Sequence, residues 1–145
     1  MKNPVDAYWS RRLAEAAEAL EANGFEARVA ATAEAARDYA LSDLIPALGP
    51  ATMGLGGSKT VVDIGLYEAL KALDGPRLLD SYDKSLSKEA KIELRRESLL
   101  SDLFFMGSNA VTEDGLLVNL DMIGNRVGAL AFGPRHVLVV AGRNK

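Results

Sequence analysis

Residues 107–134 read GSNAVTEDGLLVNLDMIGNRVGALAFGP, and this stretch decides how the last third of the chain folds. Two apolar half-strands flank Glu113-Asp114-Gly115. Asp-Gly between alternating apolar residues predicts a β-hairpin, because the tight turn needs positive φ. Gly124-Asn125-Arg126 then opens a short apolar helix over residues 127–132. A turn rich in carboxylate, amide and guanidinium groups therefore lies beside a helix start, where a polar ligand can bind.

Outward from this stretch, predicted strands and helices alternate along the chain. The predicted strands are residues 25–30, 51–55, 77–80, 103–106 and 136–141, and the predicted helices begin at Pro4, Thr32, Thr60 and Ser87. This order predicts an α/β fold, a three-layer sandwich with a mainly parallel central sheet in which the hairpin is the antiparallel exception. We find no repeat and no linker, so residues 1–145 are expected to form a single domain.

Three local signals refine the predicted helices. Asn3 can cap the first helix with Pro4 at its first position, and Tyr8 and Trp9 are then expected to face the core. The helix that begins at Thr32 is expected to stop before Pro46, because proline lacks the backbone N–H that a helix interior needs. Gly65 divides the stretch after Thr60 into two short pieces.

A glycine loop, residues 53–60 (MGLGGSKT), lies between a predicted strand and a predicted helix. Glycines let the backbone approach a ligand closely, and free N–H groups at a helix start attract anions. The candidate anion-binding residues are Gly54, Gly56, Gly57, Ser58 and Lys59. The alternative interpretation is a tight strand-to-helix turn. The loop is neither a Walker loop, because Lys59 follows Ser58, nor a good dinucleotide fingerprint, because Lys59 occupies the third glycine position.

Further candidates lie around the hairpin. Glu113 is not required by the turn itself and is a candidate functional carboxylate, whereas Asp114 is explained as a turn residue. Asn109 and Asn125 can present amides to a ligand or satisfy backbone groups in turns. Arg126 in the first turn of a helix opposes the favoured dipole sign, so an anionic ligand or a buried carboxylate is expected beside it. Arg95 and Arg96 are expected to lie on a solvated face of their helix. His136 is expected to have a structural role.

The composition excludes several classes of function. The 17 Lys and Arg residues against 20 Asp and Glu residues give a net charge of −3 without a basic stripe, which argues against nucleic acid as a partner. No cysteine and one histidine leave no thiolate chemistry and no His-rich metal site, so we expect no metal and no cofactor. No apolar run reaches 18 residues and no signal core follows the first residues, so a cytoplasmic protein without a membrane partner is expected.

Motifs in the last third of the chain resemble those of the LUD domain family, which includes the lactate-utilisation proteins B and C. The matching segments are Gly56-Gly57-Ser58, residues 108–115, Asn119, Asp121, Gly124-Asn125-Arg126, Phe132-Gly133-Pro134 and residues 139–145. The resemblance covers nearly the whole chain in element order and is loose over the first 50 residues. It implies a fold similar to those of glucosamine-6-phosphate deaminase, ribose-5-phosphate isomerase and CoA transferases.

The resemblance also implies a function. Members of the family are associated with the oxidation of lactate to pyruvate, in complexes where partner proteins carry iron–sulfur clusters. The ligand surface that the resemblance implies consists of the glycine loop, Glu113 and the Asn125-Arg126 region. We expect the side chains of Glu113 and Arg126 to point into one crevice shared with residues 54–59, because ligands gather at the carboxyl ends of parallel strands.

Three hypotheses for the function stay open. The first is an accessory subunit that binds a small anion, an organic acid or a phosphorylated metabolite, and relies on iron–sulfur partner proteins for electron transfer. The second is acyl transfer similar to that of CoA transferases, with Glu113 as the nucleophile that forms an anhydride and then a thioester. The third is a structural partner domain without chemistry. A homo-oligomer is compatible with each of them.

Overall fold

The computed structural model describes residues 3–145. Its helices are α1 (Pro4–Ala22), α2 (Ala33–Tyr39), α3 (Ile45–Leu48), α4 (Lys59–Asp63), α5 (Leu66–Lys71), α6 (Lys88–Ser98) and α7 (Asn125–Ala131), with a π-helical turn, Ala40–Leu44, between α2 and α3. Its strands are β1 (Thr52–Leu55), β2 (Arg77–Leu79), β3 (Leu103–Met106), β4 (Ala110–Val111), β5 (Leu117–Val118) and β6 (His136–Val139).

Four of the strands form a central parallel sheet in the order β2-β1-β3-β6. In its middle Gly54 is paired in register with Leu79 of β2 on one side and with Phe104 of β3 on the other. β4 and β5 form a separate antiparallel hairpin, with Ala110 opposite Val118. The predicted fold class, α/β with a parallel central sheet and one hairpin, is confirmed.

The two faces of the sheet are covered by different helices because alternate residues of each strand point to opposite sides. Met53, Leu55, Leu103 and Phe105 belong to a core cluster that also contains residues of the α2–α3 segment, α4 and α5. Phe104 and Met106 belong to a second cluster, completed by Ala129 of α7 and partly buried Leu99, Leu130, Val137 and Val139. The helices therefore form one layer on each side of the sheet.

Two glycines in and after β1 make room for the second cluster. A Cβ atom at Gly54 would lie 2.8 Å from the Cβ of Ser98 in α6 and 2.9 Å from the ring of Phe104. A Cβ atom at Gly56 would lie 2.8 Å from the same ring and 2.9 Å from the Cγ of Arg126. The ring of Phe104 thus lies across both glycines, and α6 approaches the sheet closely because Gly54 has no side chain.

The hairpin holds α1 against the rest of the molecule. The side-chain amide of Asn23 donates hydrogen bonds to the carbonyl oxygens of Asp114 (2.8 Å) and Gly115 (2.9 Å). Gly115 has a φ of +79°, and a Cβ atom there would lie 2.5 Å from the carbonyl oxygen of Ala19. Gly115 is therefore required twice, for the left-handed turn and for the close approach of the helix.

Two sequence predictions for the first half of the chain are wrong. Residues 25–30 form no strand: the alternation of apolar and polar residues is present, but neither edge of the sheet pairs with this segment. The helix that begins after Thr32 does not stop before Pro46 but continues to Leu48. The π-helical turn accommodates the proline, with the N–H of Ile45 bonded to the carbonyl of Ala40.

Other local predictions have mixed outcomes. Asn3 caps α1 by accepting a hydrogen bond from the N–H of Val5, as predicted. Gly65, with a φ of +77°, separates α4 from α5, as predicted. The expected core positions of α1 are only partly correct, because Tyr8 is exposed and Trp9 is half-buried. No side chain of α1 is buried, so this helix contributes little to the core.

We predict that Gly115→Ala detaches α1 from the hairpin. The substitution adds the strain of a left-handed backbone, about 1–2 kcal/mol, and a clash with Ala19 of about 1–3 kcal/mol. Trp9 is the chain's only tryptophan and lies on α1, so its emission should shift to the red. The control is Gly75→Ala, because Gly75 also has positive φ (+111°) but has no atom near the added Cβ. Equal destabilisation by the two variants would contradict the docking role of Gly115.

Candidate functional site

The candidate site lies at the carboxyl ends of the parallel strands, where segments that follow different strands meet. The glycine loop follows β1, and Tyr82 lies three residues after the end of β2. The loop after β3 begins at Gly107, where a Cβ atom would lie 2.8 Å from the Oγ of Ser58. The segment of residues 119–126 passes from the hairpin to α7 over this edge. Ligands in open α/β sheets bind at such an edge.

The glycine loop is held in place by side chains of the protein. Ser58 caps α4, because its Oγ accepts a hydrogen bond from the N–H of Val61 (3.2 Å). The hydroxyl of Tyr82 donates to the carbonyl of Gly56 and accepts from the N–H of Ser58 (2.9 Å). Burial raises the pKa of Tyr82, so this hydroxyl keeps its proton at neutral pH. The N–H of Ser58 is therefore already satisfied within the chain.

A second tyrosine supports the first. Tyr67 donates from its hydroxyl to Oδ2 of Asp80 (2.9 Å), and Oδ1 of Asp80 accepts from the N–H of Tyr82 (2.9 Å). Burial, together with the Asp80 carboxylate, raises the pKa of Tyr67 to about 12. Both hydroxyls are thus fixed proton donors, which keeps the glycine loop in one conformation.

Arg126 is anchored by the segment that precedes it. Its Nε donates to Oδ1 of Asp121 (2.6 Å), and its Nη2 donates to Oδ1 of Asn109 (2.9 Å) and to the carbonyl of Leu120 (3.0 Å). The side chains of Arg126 and Asp121 are 14% and 7% exposed, so the ion pair is largely buried. The other terminal nitrogen, Nη1, makes no hydrogen bond to a residue between 3 and 145.

Asp121 explains why an arginine stands at the start of α7. The Oδ2 atom of Asp121 accepts a hydrogen bond from the N–H of Val127 (2.8 Å), which is one of the free donors at this helix start. Burial acts to raise the pKa of Asp121, but the hydrogen bonds from Val127 and Arg126 outweigh it and hold the pKa below its usual range. The buried carboxylate expected beside Arg126 is therefore Asp121.

Two neighbouring cavities lie between α6 and the residues around the start of α7. The first, of about 340 Å³, is lined by Ile92, Arg95, Arg96, Leu99, Ile123, Gly124 and Asn125. The second, of about 350 Å³, is lined by Gly57, Arg95, Leu120, Asp121, Met122, Ile123, Asn125 and Arg126. Arg95, Ile123 and Asn125 line both, so the two cavities form one continuous depression, which we call the crevice.

Arg95 is the charged residue that the sequence interpretation missed. It lies on α6 and lines both cavities of the crevice, rather than a solvated face. No carboxylate of residues 3–145 lies within 4.0 Å of its guanidinium group, whereas its neighbour Arg96 pairs with Glu93 at 2.6 Å. The sequence does contain a sign of this position: Arg95 stands three residues after Ile92 and four before Leu99, which places it on the apolar side of the helix.

The structure brings some of the predicted site residues together. Gly57, Asn125 and Arg126 line the crevice. Asn109 lines neither cavity, but its Oδ1 accepts a hydrogen bond from Nη2 of Arg126. Gly54 and Gly56 are both buried against the ring of Phe104 and line neither cavity, so their role in ligand binding stays a prediction.

Other predicted site residues lie elsewhere. Lys59 lies on the exposed side of α4 and pairs with Asp63. Glu113 is at the hairpin turn, with a side chain that is 76% exposed and forms an ion pair with Arg12 of α1. Glu113 lines neither cavity, so of the two residues expected to share one crevice only Arg126 lies in it. The catalytic role of Glu113 stays a prediction.

A comparison with known families identifies the family of the chain. A family model described as LUD domain matches residues 13–145. The chain belongs to the LUD domain family. The match includes the whole central sheet, the glycine loop and the residues of the crevice, and leaves out residues 1–12, which contain the first half of α1. No curated protein and no solved structure matches the chain.

Two further findings concern residues 3–145 alone. No three carboxylate or imidazole side chains of this part of the chain come together in a way that could hold a metal ion. None of its helices combines the length and the apolar character that a membrane span requires.

We predict that Asp121→Asn lowers the free energy of unfolding by about 2–3 kcal/mol at pH 7, because it leaves Arg126 buried without its counter-charge. The pKa of Asp121 is lower in the folded chain than its ordinary 3.8. Its contribution is therefore present above pH 3.8 and is lost as the pH falls through the folded value. Urea unfolding at pH 7 and pH 3 measures the difference, which should shrink at pH 3.

The control is Glu15→Gln, which removes a carboxylate from an exposed ion pair with Arg11. We expect this change to leave stability nearly unaltered. A deficit for Asp121→Asn that is the same at both pH values would contradict the role of the charged pair.

Proposed function

We propose that this LUD domain protein binds a small organic anion in the crevice, as an accessory subunit linked to lactate utilisation. The observation that carries the proposal is Arg95, a guanidinium group that lines the crevice and has no carboxylate partner among residues 3–145. Cations inside proteins are normally paired, so an arginine without a partner at a concave site favours an anionic ligand.

The surroundings of Arg95 support a carboxylate ligand. Gly57 lines the crevice, and nothing lies within 4 Å of the position of its missing Cβ, so a ligand can approach the backbone there. Asn125 also lines the crevice, and Nη1 of Arg126 is a donor that makes no hydrogen bond to residues 3–145. Convergent donors around a single free charge suit the planar oxygens of a carboxylate.

Binding without catalysis is favoured by what lines the crevice. Asp121 is the one carboxylate among the lining residues, and the hydrogen bonds from Val127 and Arg126 keep its pKa below its usual range. A general base would need a pKa nearer to neutral pH, and a nucleophile would need a base beside it. The acyl-transfer alternative requires Glu113 to meet the ligand, and no contact of Glu113 favours that role.

The family and the composition support the accessory role. The chain has no cysteine and so cannot hold an iron–sulfur cluster through thiolates. Oxidation of lactate in the family's complexes is associated with partner proteins that carry such clusters. We infer that any electron transfer passes through such a partner, while this chain supplies the site for the anion.

Titration of the native chain with lactate, followed by calorimetry, tests the proposal together with the variant Arg95→Gln. A charge-assisted hydrogen bond contributes about 1.5–3 kcal/mol, so the variant should bind lactate about 10- to 100-fold more weakly. The matched control is Arg11→Gln, which removes the same charge from the exposed pair on α1 and should bind as the native chain does. No binding of lactate or inorganic phosphate to the native chain, or equal binding by Arg95→Gln, would overturn the proposal.

We further predict that Gly57→Val blocks the crevice without unfolding the protein. The added side chain would project into the open space beside Arg95 and Arg126, since no atom lies near the Cβ position. The backbone there needs no positive φ, so valine is compatible with it. Thermal unfolding should stay within a few degrees of the native chain, while lactate no longer raises the melting temperature. A variant that is still stabilised by lactate would place the anion elsewhere.

A further inference from the structure

The two halves of the crevice differ in polarity. The lining around Gly57 and Arg126 is the more polar of the two, and the lining between α6 and the start of α7 includes the side chains of Ile92, Leu99 and Ile123. Arg95 stands where the two halves meet, because it lines both cavities. A ligand that contacts Arg95 with a charged group can therefore extend onto apolar surface from the same position.

The charges of the crevice indicate how many negative charges the ligand carries. Asp121 neutralises Arg126, and Glu93 pairs with Arg96, so within residues 3–145 Arg95 is the one charge of the lining without a counter-charge. A dianion such as a phosphate monoester would keep a negative charge without a counter-charge in a partly buried place, which is unfavourable. One free cation suits a monoanion.

Resting on the proposed function, we propose that the crevice selects a monocarboxylate with an apolar substituent larger than the methyl group of lactate. The carboxylate binds Arg95 and Nη1 of Arg126, and the substituent covers Ile92, Leu99 and Ile123. The cavity of about 340 Å³ between α6 and α7 falls at the small end of the usual range for ligand pockets, about 300–1,000 Å³. Lactate bound at Arg95 would leave most of this cavity without a ligand atom.

Calorimetric titration with acetate, butyrate and hexanoate tests the inference. Each methylene group that is buried should tighten binding about three- to fourfold, until the cavity is filled. Ile123→Ser should flatten this series, since Ile123 lies in the loop before α7 and lines both cavities. Ile92→Ser on α6 provides a second variant should the first disturb the loop. The matched control is Leu100→Ser, because Leu100 is 84% exposed and lines neither cavity, and it should keep the slope of the native chain.

The outcomes separate this inference from the proposed function. Acids that bind equally well at every length, and more weakly to Arg95→Gln, would overturn the apolar subsite and leave anion binding standing. The same holds if phosphate binds and the carboxylates do not. Failure of every acid and of phosphate to bind would overturn both. Hexanol, which has the chain but no charge, should not bind, and binding of hexanol equal to that of hexanoate would overturn the role of the carboxylate.

Discussion

The ring of Phe104 lies across Gly54 and Gly56, and the helices on that face of the sheet occupy their positions because of this contact. A side chain at Gly54 would push α6 away from the sheet, and a side chain at Gly56 would displace the stem of Arg126. The interior of a protein is packed densely enough that neither collision could be relieved by small shifts. The crevice lies between α6 and the residues around Arg126, so the absence of side chains at Gly54 in β1 and at Gly56 just after it sets the width of the crevice.

The two arginines of the crevice have different tasks although they stand beside the same space. Arg126 holds the segment of residues 120–126 in place through Asp121, Asn109 and the Leu120 carbonyl, and it is neutralised by the carboxylate it binds. Arg95 has no such partner among residues 3–145 and therefore keeps its charge available to a ligand. One guanidinium group thus shapes the site and the other supplies its electrostatic attraction. The proposed preference for a monoanion depends on this division.

Features governed by local geometry could be predicted from the sequence. The hairpin follows from Asp114-Gly115, whose turn requires positive φ, and the buried strand β3 follows from four consecutive apolar residues between turn signals. The same reasoning fails for residues 25–30, because alternation describes a strand only when another strand is there to pair with it. It fails at Pro46 because a π-helical turn can absorb a proline that a regular α-helix cannot.

The candidate site could be predicted only in part, because long-range contacts decide it. The glycine loop and Arg126 are recognisable as polar or flexible groups near predicted strand ends, and they lie together. The packing role of Gly54 and Gly56 depends on Phe104 and Ser98, which are far away in the chain. Glu113 looks equally functional in the sequence, yet its carboxylate meets Arg12 of α1. Charge and spacing alone do not reveal which way such a side chain points.

The anchoring of Arg126 also has a consequence for the entropy of ligand binding. Fixing a long side chain costs about 0.5–1.5 kcal/mol of rotamer freedom, and in Arg126 three hydrogen bonds have imposed that loss during folding. An anion that reaches Nη1 therefore meets a donor that is already ordered. Arg95, which no carboxylate among residues 3–145 holds, must give up its rotamer freedom when the ligand arrives. The crevice thus combines one preorganised donor, Arg126, with one adaptable cation, Arg95. Because the ordering of Arg95 costs free energy on binding, it limits the affinity for a very small acid, which makes few other contacts.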